Sequence, residues 1–331
     1  MLARRETSRL ALALSRESTS VSHDAGMCTT LPSTQAMTNS LFTTCKRHTT
    51  QTAFALVVGL LAVAWPSHAA YETSPSRQAR SERRLLDDAI DGRLNRHSLV
   101  EAALLAGGTT PPKQLGKLVG RFEKLAYEVN NSLDTRQSIA ERARAIHAFM
   151  HEYVLVNYRI DASDLAETLE TGAYNCVSAS VLFVALAERC GLDAHAVQLP
   201  EHVRCEVIAD GVVLPIETTS LSAAVPSTSR HRVRVLTDVT LIATLYYNRG
   251  VAAFDGGDLQ SAIDLNTIAV DLDPACRQAR DNLLAAINNR VVQLVNANER
   301  TNALQLLDQG LQIDPEYRPF QVNRAYLQQN P

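Results

Sequence analysis

The chain has no surplus of either charge large enough to name a charged partner. Across 331 residues, 32 Lys and Arg stand against 35 Asp and Glu, for a net charge of −3. A nucleic-acid binder needs a basic footprint, so this balance argues against nucleic acid. Six cysteines show neither the spacing of a disulfide framework nor that of a metal site. An acidic calcium-ligand loop is missing too, and nothing points to a cofactor. Long hydrophobic runs are also missing. The longest candidate, Ala53–Trp65, is thirteen residues and too short for a comfortable transmembrane helix. What is present, 46% hydrophobic and 20% charged residues, suits a globular protein with room for two domains.

The short apolar run has its own reading. Lys46-Arg47-His48 precede it and Pro66-Ser67-His68-Ala69 follow, the basic, apolar, small order of a secretory signal peptide. Met37 as the start gives a leader of ordinary length. Residues 1–69 are therefore expected to be a leader started too early, with the signal at about 37–69. The leader carries six basic and three acidic residues, so cleavage leaves −6 on the remainder. The mature protein is expected to be exported and periplasmic, with no stable membrane span. Cys28 and Cys45 leave with the leader. Cys190 and Cys205 read as buried thiols, although a pairing among Cys190, Cys205 and Cys276 stays open in an oxidising compartment.

The chemistry concentrates between residues 175 and 219. Asn175–Cys190 reads as one buried helix, apolar around nearly its whole circumference and stopped by Gly191. Cys176 lies in its first turn, where unpaired N–H groups and the helix dipole favour an anion. His202–Ile208 and Val212–Thr218 read as two strands joined by a tight turn at Asp210-Gly211. A two-residue turn pairs Ala209 with Val212. Counting outward, Arg204 then pairs with Glu217, and His202 lies diagonal to Glu217 on the same face. Cys176, His202 and Glu217 in this order form a nucleophile, a base and an orienting acid. The backbone N–H of Cys176, with Tyr174 or Asn175, is the expected source of oxyanion donors.

This segment resembles the transglutaminase-like (papain-like cysteine) superfamily, and within it bacterial proteins that carry the domain beside tetratricopeptide repeats. The resemblance covers roughly residues 135–220. It rests on Gly172, Asn175, Cys176, Leu182-Phe183, Ala185-Leu186-Ala187-Glu188, Gly191-Leu192, Pro200, His202 and Glu217-Thr218-Thr219. Two positions depart from the common pattern: Glu217 stands where Asp is commoner, and Arg204 stands where many members have Trp. The resemblance implies an α+β domain with a helical N-terminal part and an antiparallel sheet. It also implies Cys176, His202 and Glu217 as catalytic residues acting on an amide or peptide, by hydrolysis or acyl transfer.

The remainder divides around this domain. Residues 70–97 are polar and read as a mobile segment leading into a helix, and 98–220 as the transglutaminase-like domain. Within it Ser98–Ala106 and Lys113–Asn130 are expected helices. A capping-box start at Asp134–Gln137 is expected before a helix bearing Ile139, Ala143, Ile146, Phe149, Met150 and Tyr153. His147 and His151 sit four apart on it without a third ligand, so they read as satisfied or solvated rather than metal-binding. Residues 161–175 read as a connection. Residues 221–238 read as a linker, with a basic cluster at Arg230, His231, Arg232 and Arg234. From 239 to 331 the tetratricopeptide pattern Tyr246…Gly250…Ala262-Ile263…Asp273-Pro274 has a copy 41 residues on, at Asn289-Arg290, Leu294, Ala303-Leu304, Leu311 and Asp314-Pro315. This spacing requires either a longer first helix or an inserted connector. Two classes of function fit the whole: a cysteine-dependent enzyme acting on a peptide or protein substrate, or an inactive domain of the same fold whose repeat groove holds a protein partner.

Overall fold

Two serines set the frame of the N-terminal half. Ser98 caps α2 (Leu99–Ala106) and Ser138 caps α4 (Ile139–Tyr153). Each side chain accepts the N–H of the glutamate three residues on, Glu101 or Glu141, whose carboxylate bonds back to the serine N–H. The start of α4 is therefore Ser138–Glu141, not the expected Asp134–Gln137. Asp134 instead closes a local turn, its carboxylate taking the N–H of Arg136 two residues on. The computed structural model describes residues 77–224 and 234–329. The expected signal peptide and Arg230, His231 and Arg232 lie outside the described residues.

The stretch 70–97, read as a mobile start followed by a helix, contains α1 (Arg77–Ala89). Its dense charge hides a narrow apolar stripe, of which Leu85 and Ala89 are buried. Asp88 then holds the following turn, accepting the N–H groups of Asn95, Arg96 and His97. In α3 (Pro112–Ser132), Leu118, Phe122, Ala126 and Val129 recur on one face and are all buried. These helices surround α6 (Cys176–Arg189), whose residues Val177 to Ala187 are buried without interruption. The glycine stop is a Schellman cap. Gly191 takes φ 69°, its N–H bonds to Glu188, and the Leu192 N–H bonds to Ala187.

Four strands follow: β3 (Ala194–Leu199), β4 (His202–Ala209), β5 (Val212–Ile216) and β6 (Arg234–Leu236). They form one antiparallel sheet in the order β5-β4-β3-β6. Asp210 and Gly211 both take positive φ, 52° and 79°, as a two-residue hairpin turn requires. Ala209 pairs with Val212, the register the hairpin count gives. The ladder ends at Cys205–Ile216, two residues short of the expected strand, because the Glu217 N–H turns away to Ala223.

Two expected connections hold structure. The 161–175 segment contains α5 (Leu165–Thr171), capped by Asp164 and ended by Gly172 at φ 77°. After it β2 (Ala173–Tyr174) pairs in parallel with β1 (Asn157–Tyr158). Both are too short for periodicity to show. The expected linker 221–238 includes β6, anchored by Arg234 on Gln198 and Asp273.

The C-terminal part is helical throughout its described length: α7 (Asp238–Asp255), α8 (Leu259–Leu272), α9 (Arg277–Asn296), α10 (Arg300–Ile313) and α11 (Arg318–Gln329). Short turns make successive helices antiparallel neighbours. Gly250 lets α7 approach α8 closely, since a Cβ there would collide with Asn266. The 41-residue spacing is accommodated in α9, a single unbroken helix of 20 residues, and not in a connector. Leu241, Ile242, Leu245 and Tyr246 of α7 share one apolar core with α6. Arg249 donates to the carbonyl of Ala106 at 2.6 Å, at the negative end of α2. A second core gathers Ile263, Leu283, Ile287, Phe320 and Leu327. Among the described residues no helix is long and apolar enough to cross a membrane.

Candidate active site

Cys176 is the first residue of α6 and is partly exposed. Asn175 caps the helix, its Oδ1 accepting the N–H groups of Val177 at 2.9 Å and Ser178 at 3.1 Å. Its Nδ2 donates to the carbonyl of Ile160 at 3.0 Å. The Asn175 side chain thus holds the cysteine end of the helix. The cap leaves the Cys176 N–H beside the sulfur. Tyr174 is buried, with its ring edge-on to Tyr158 at 5.7 Å. Tyr158 is half-exposed and faces the site. Its phenol is raised by burial and then by the negative charges of Cys176 and Glu217. Of the two tyrosines, Tyr158 is the one exposed toward a substrate.

His202 opens β4. Its Nε2 lies 3.0 and 2.9 Å from the two carboxylate oxygens of Glu217. Nδ1 is the nitrogen left for sulfur. A hydrogen bond with Cys176 and another with Glu217 outweigh burial and push the imidazole up to about 10. The ring is therefore an imidazolium at neutral pH when its partners are charged. Burial pushes the Glu217 carboxyl up, but hydrogen bonds from His202 and Thr219 outweigh it and hold the group below its usual range. Thr219 contributes twice to one oxygen, through its N–H at 3.0 Å and its hydroxyl at 2.6 Å.

The turn that carries Glu217 is pinned from behind. His147 Nε2 lies 2.9 Å from the carbonyls of both Glu217 and Ser220. Two carbonyl partners fix the tautomer, since that nitrogen has to carry the proton. Burial lowers the His147 pKa despite these bonds, so the ring is neutral at pH 7. His151 lies against it with the rings tilted by 53° and their centroids 4.6 Å apart, and reaches the Thr218 backbone. From the helix side, Ser180 and Thr218 hydroxyls meet at 3.2 Å, both fully buried. The i,i+4 histidine pair thus supports the acid-bearing turn. Its spacing was visible in the sequence, but its target lay 70 residues away.

All three expected site residues, Cys176, His202 and Glu217, come together. The other described cysteines do not join them. Cys190, Cys205 and Cys276 are free and buried. Cys205 donates to the Ser180 carbonyl, and burial pushes its thiol up to about 12. Arg204 is buried in a 3.1 Å ion pair with Glu206 on the same strand.

Residues 117–222 match the transglutaminase-like superfamily. The matched span begins in α3 and takes in Cys176, His202 and Glu217. The transglutaminase-like domain thus reaches further toward the N-terminus than the resembling motifs at 135–220. No curated protein and no solved structure gives a significant match.

Proposed function

We propose that the protein is a cysteine-dependent hydrolase or acyltransferase acting on an amide bond of a peptide or protein. The observation that carries this reading is the imidazole of His202, held by both oxygens of Glu217 and within hydrogen-bonding reach of Cys176 at a helix N-terminus.

The arrangement supports an ordered sequence of bonds. The Cys176 sulfur, its proton held on His202, attacks the carbonyl carbon. A C–S bond forms and the carbonyl π pair moves to oxygen, toward the Cys176 N–H at the positive end of α6. His202 then gives its proton to the leaving nitrogen as the C–N bond breaks, which leaves a thioester. Water, or an amine, loses a proton to His202 and attacks the thioester carbon. Collapse of that intermediate breaks C–S and releases acid or a new amide. Glu217 keeps the imidazole oriented and stabilises its cation throughout.

In this reading the helices α7 to α11 are tetratricopeptide-type repeats that recruit a protein partner or substrate. The recurrence of Asn248-Arg249, Ala262-Ile263 and Asp273-Pro274 41 residues on, at Asn289-Arg290, Ala303-Leu304 and Asp314-Pro315, supports this, as does the close approach of α7 to α8 that Gly250 permits. The apolar run at 53–65 with its flanks supports export to the periplasm. The test is a complementation assay with Cys176→Ala. The variant should fold as the parent does and lose function, and full function in it would contradict the enzymatic reading.

A further inference from the structure

Acyl transfer needs hydrogen-bond donors where the carbonyl oxygen becomes an oxyanion, and the Cys176 N–H is one. A second donor stands beside it. Tyr158 is paired with Tyr174 in the parallel β1–β2 ladder. Beyond that pair the two segments stay bonded. The Arg159 N–H donates to the Tyr174 carbonyl at 2.9 Å, and Asn175 Nδ2 donates to the Ile160 carbonyl at 3.0 Å. Residues 158–160 therefore run alongside the segment that ends in Cys176.

The register also decides which way the ring faces. Paired residues share one face of a sheet, and the Tyr158 ring meets Tyr174 edge-on at 5.7 Å. Tyr174 meets His151 at 6.0 Å, and His151 lies 4.6 Å from His147, whose Nε2 is bonded to the Glu217 carbonyl. A row of four rings thus runs from the acid-bearing turn to Tyr158. The two phenols in the row differ. Tyr174 is 7% exposed, and burial alone raises its pKa. Tyr158 is 48% exposed, and the charges of Cys176 and Glu217 add to burial in raising its pKa. Both site charges reach one phenol and not the other, so the Tyr158 hydroxyl is the nearer to the sulfur. It keeps its proton at neutral pH and is a donor. Among the described residues no hydrogen-bond partner occupies it.

We propose that the Tyr158 hydroxyl is the second oxyanion donor, bonding the substrate carbonyl oxygen together with the Cys176 N–H as the sulfur attacks. The inference rests on the proposed acyl-transfer role and adds a catalytic residue to the same site. Before attack the negative charge on sulfur is met by His202. As the C–S bond forms, the carbonyl π pair moves to oxygen, which then needs donors of its own. Tyr158 donates a hydrogen bond there and keeps its proton. When the pair returns to rebuild the carbonyl, the leaving group departs and the hydroxyl is free again.

The experiment uses the full chain and two reagents that share one thiol. p-Nitrophenyl acetate acetylates sulfur through a tetrahedral oxyanion and releases p-nitrophenolate, a leaving group that needs no proton. Iodoacetamide alkylates sulfur by displacing iodide and forms no oxyanion. In both cases the rate read is the part lost in Cys176→Ala. Tyr158→Phe keeps the ring against Tyr174. Acetylation in this variant should slow by a factor on the order of a hundred, while alkylation and its pH profile stay with the parent's. Unchanged acetylation, or an equal loss with both reagents, would overturn the inference and leave Cys176 as the nucleophile. A loss confined to Tyr174→Phe would overturn it too. A parent thiol inert to both reagents would instead remove the enzymatic reading, and the donor with it.

Discussion

Cys176 and Cys205 face the same helix and sheet, yet their surroundings give opposite chemistry. Cys205 sits in mid-strand, wholly buried, its thiol donating to the Ser180 carbonyl and pushed up to about 12. Cys176 sits at the first residue of α6, partly exposed, beside an imidazole raised to about 10. Both lie in one apolar frame, so residue type and the core do not distinguish them. The difference comes from a helix start against a strand middle, and from a cationic partner against none.

The largest expected effect is in that contrast itself. In the folded protein at pH 7, iodoacetamide should modify Cys176 faster than Cys205 by a factor on the order of a hundred or more. Peptide mapping after a short pulse reads the two sites together, and equal labelling would erase the distinction. Next comes the carboxylate. Glu217→Gln removes the carboxylate that faces Nε2, so the His202 titration should fall from about 10 by the part Glu217 supplies, the hydrogen bond with Cys176 keeping the rest, as followed by NMR of the ring protons. An unmoved titration would mean that Glu217 has no hold on the ring.

The turn behind the acid gives a smaller effect. His147→Phe leaves the carbonyls of Glu217 and Ser220 without their shared donor and should cost about 0.5–1.5 kcal/mol of stability. His147→Gln, which keeps an N–H, should recover part of it, and a calorimetric scan of the two variants reads the difference. If His147→Phe also lowers the His202 titration, the pinned turn is what places Glu217. An unchanged titration would confine His147 to stability.

The smallest and broadest effect is the pH dependence of folding. The folded pKa of His202 is raised above 6.5, so its contribution is complete below 6.5 and lost as pH climbs through about 10. Glu217 is lowered, so its contribution is complete above its ordinary value near 4.5 and lost as pH falls through the depressed one. The pair therefore stabilises the fold across the neutral range. His202→Asn should flatten the dependence of Tm on pH at both ends, and a profile parallel to the parent's would contradict this.

Much of the site was legible in the sequence because its parts obey local rules. Asp210-Gly211 fixes the hairpin turn, the turn fixes the register, and the register brings His202 to Glu217. An apolar circumference broken by Gly191 marks a buried helix with Cys176 at its start. What escaped depends on contacts distant in sequence or on elements too short to show a period. The Glu217 N–H left its ladder for Ala223, so the acid stands on a turn and not in a strand. His147 supports that turn from 70 residues away. Seven-residue α5 and two-residue β1 and β2 carry no readable period, yet they lead the chain into the start of α6. In α1, four arginines within eight residues masked the stripe that buries Leu85. Asp134 and Ser138 both offered a helix start. Ser138 won because its partner Glu141 completes a reciprocal cap.

The most direct test of the central claim is the pH dependence of Cys176 alkylation, with Cys190, Cys205 and Cys276 replaced by Ser and His202→Ala run beside the parent. The thiol should react rapidly at neutral pH and below, with the profile displaced to higher pH and the neutral rate reduced when His202 is removed. A slow thiol whose profile is the same with and without His202 would contradict it.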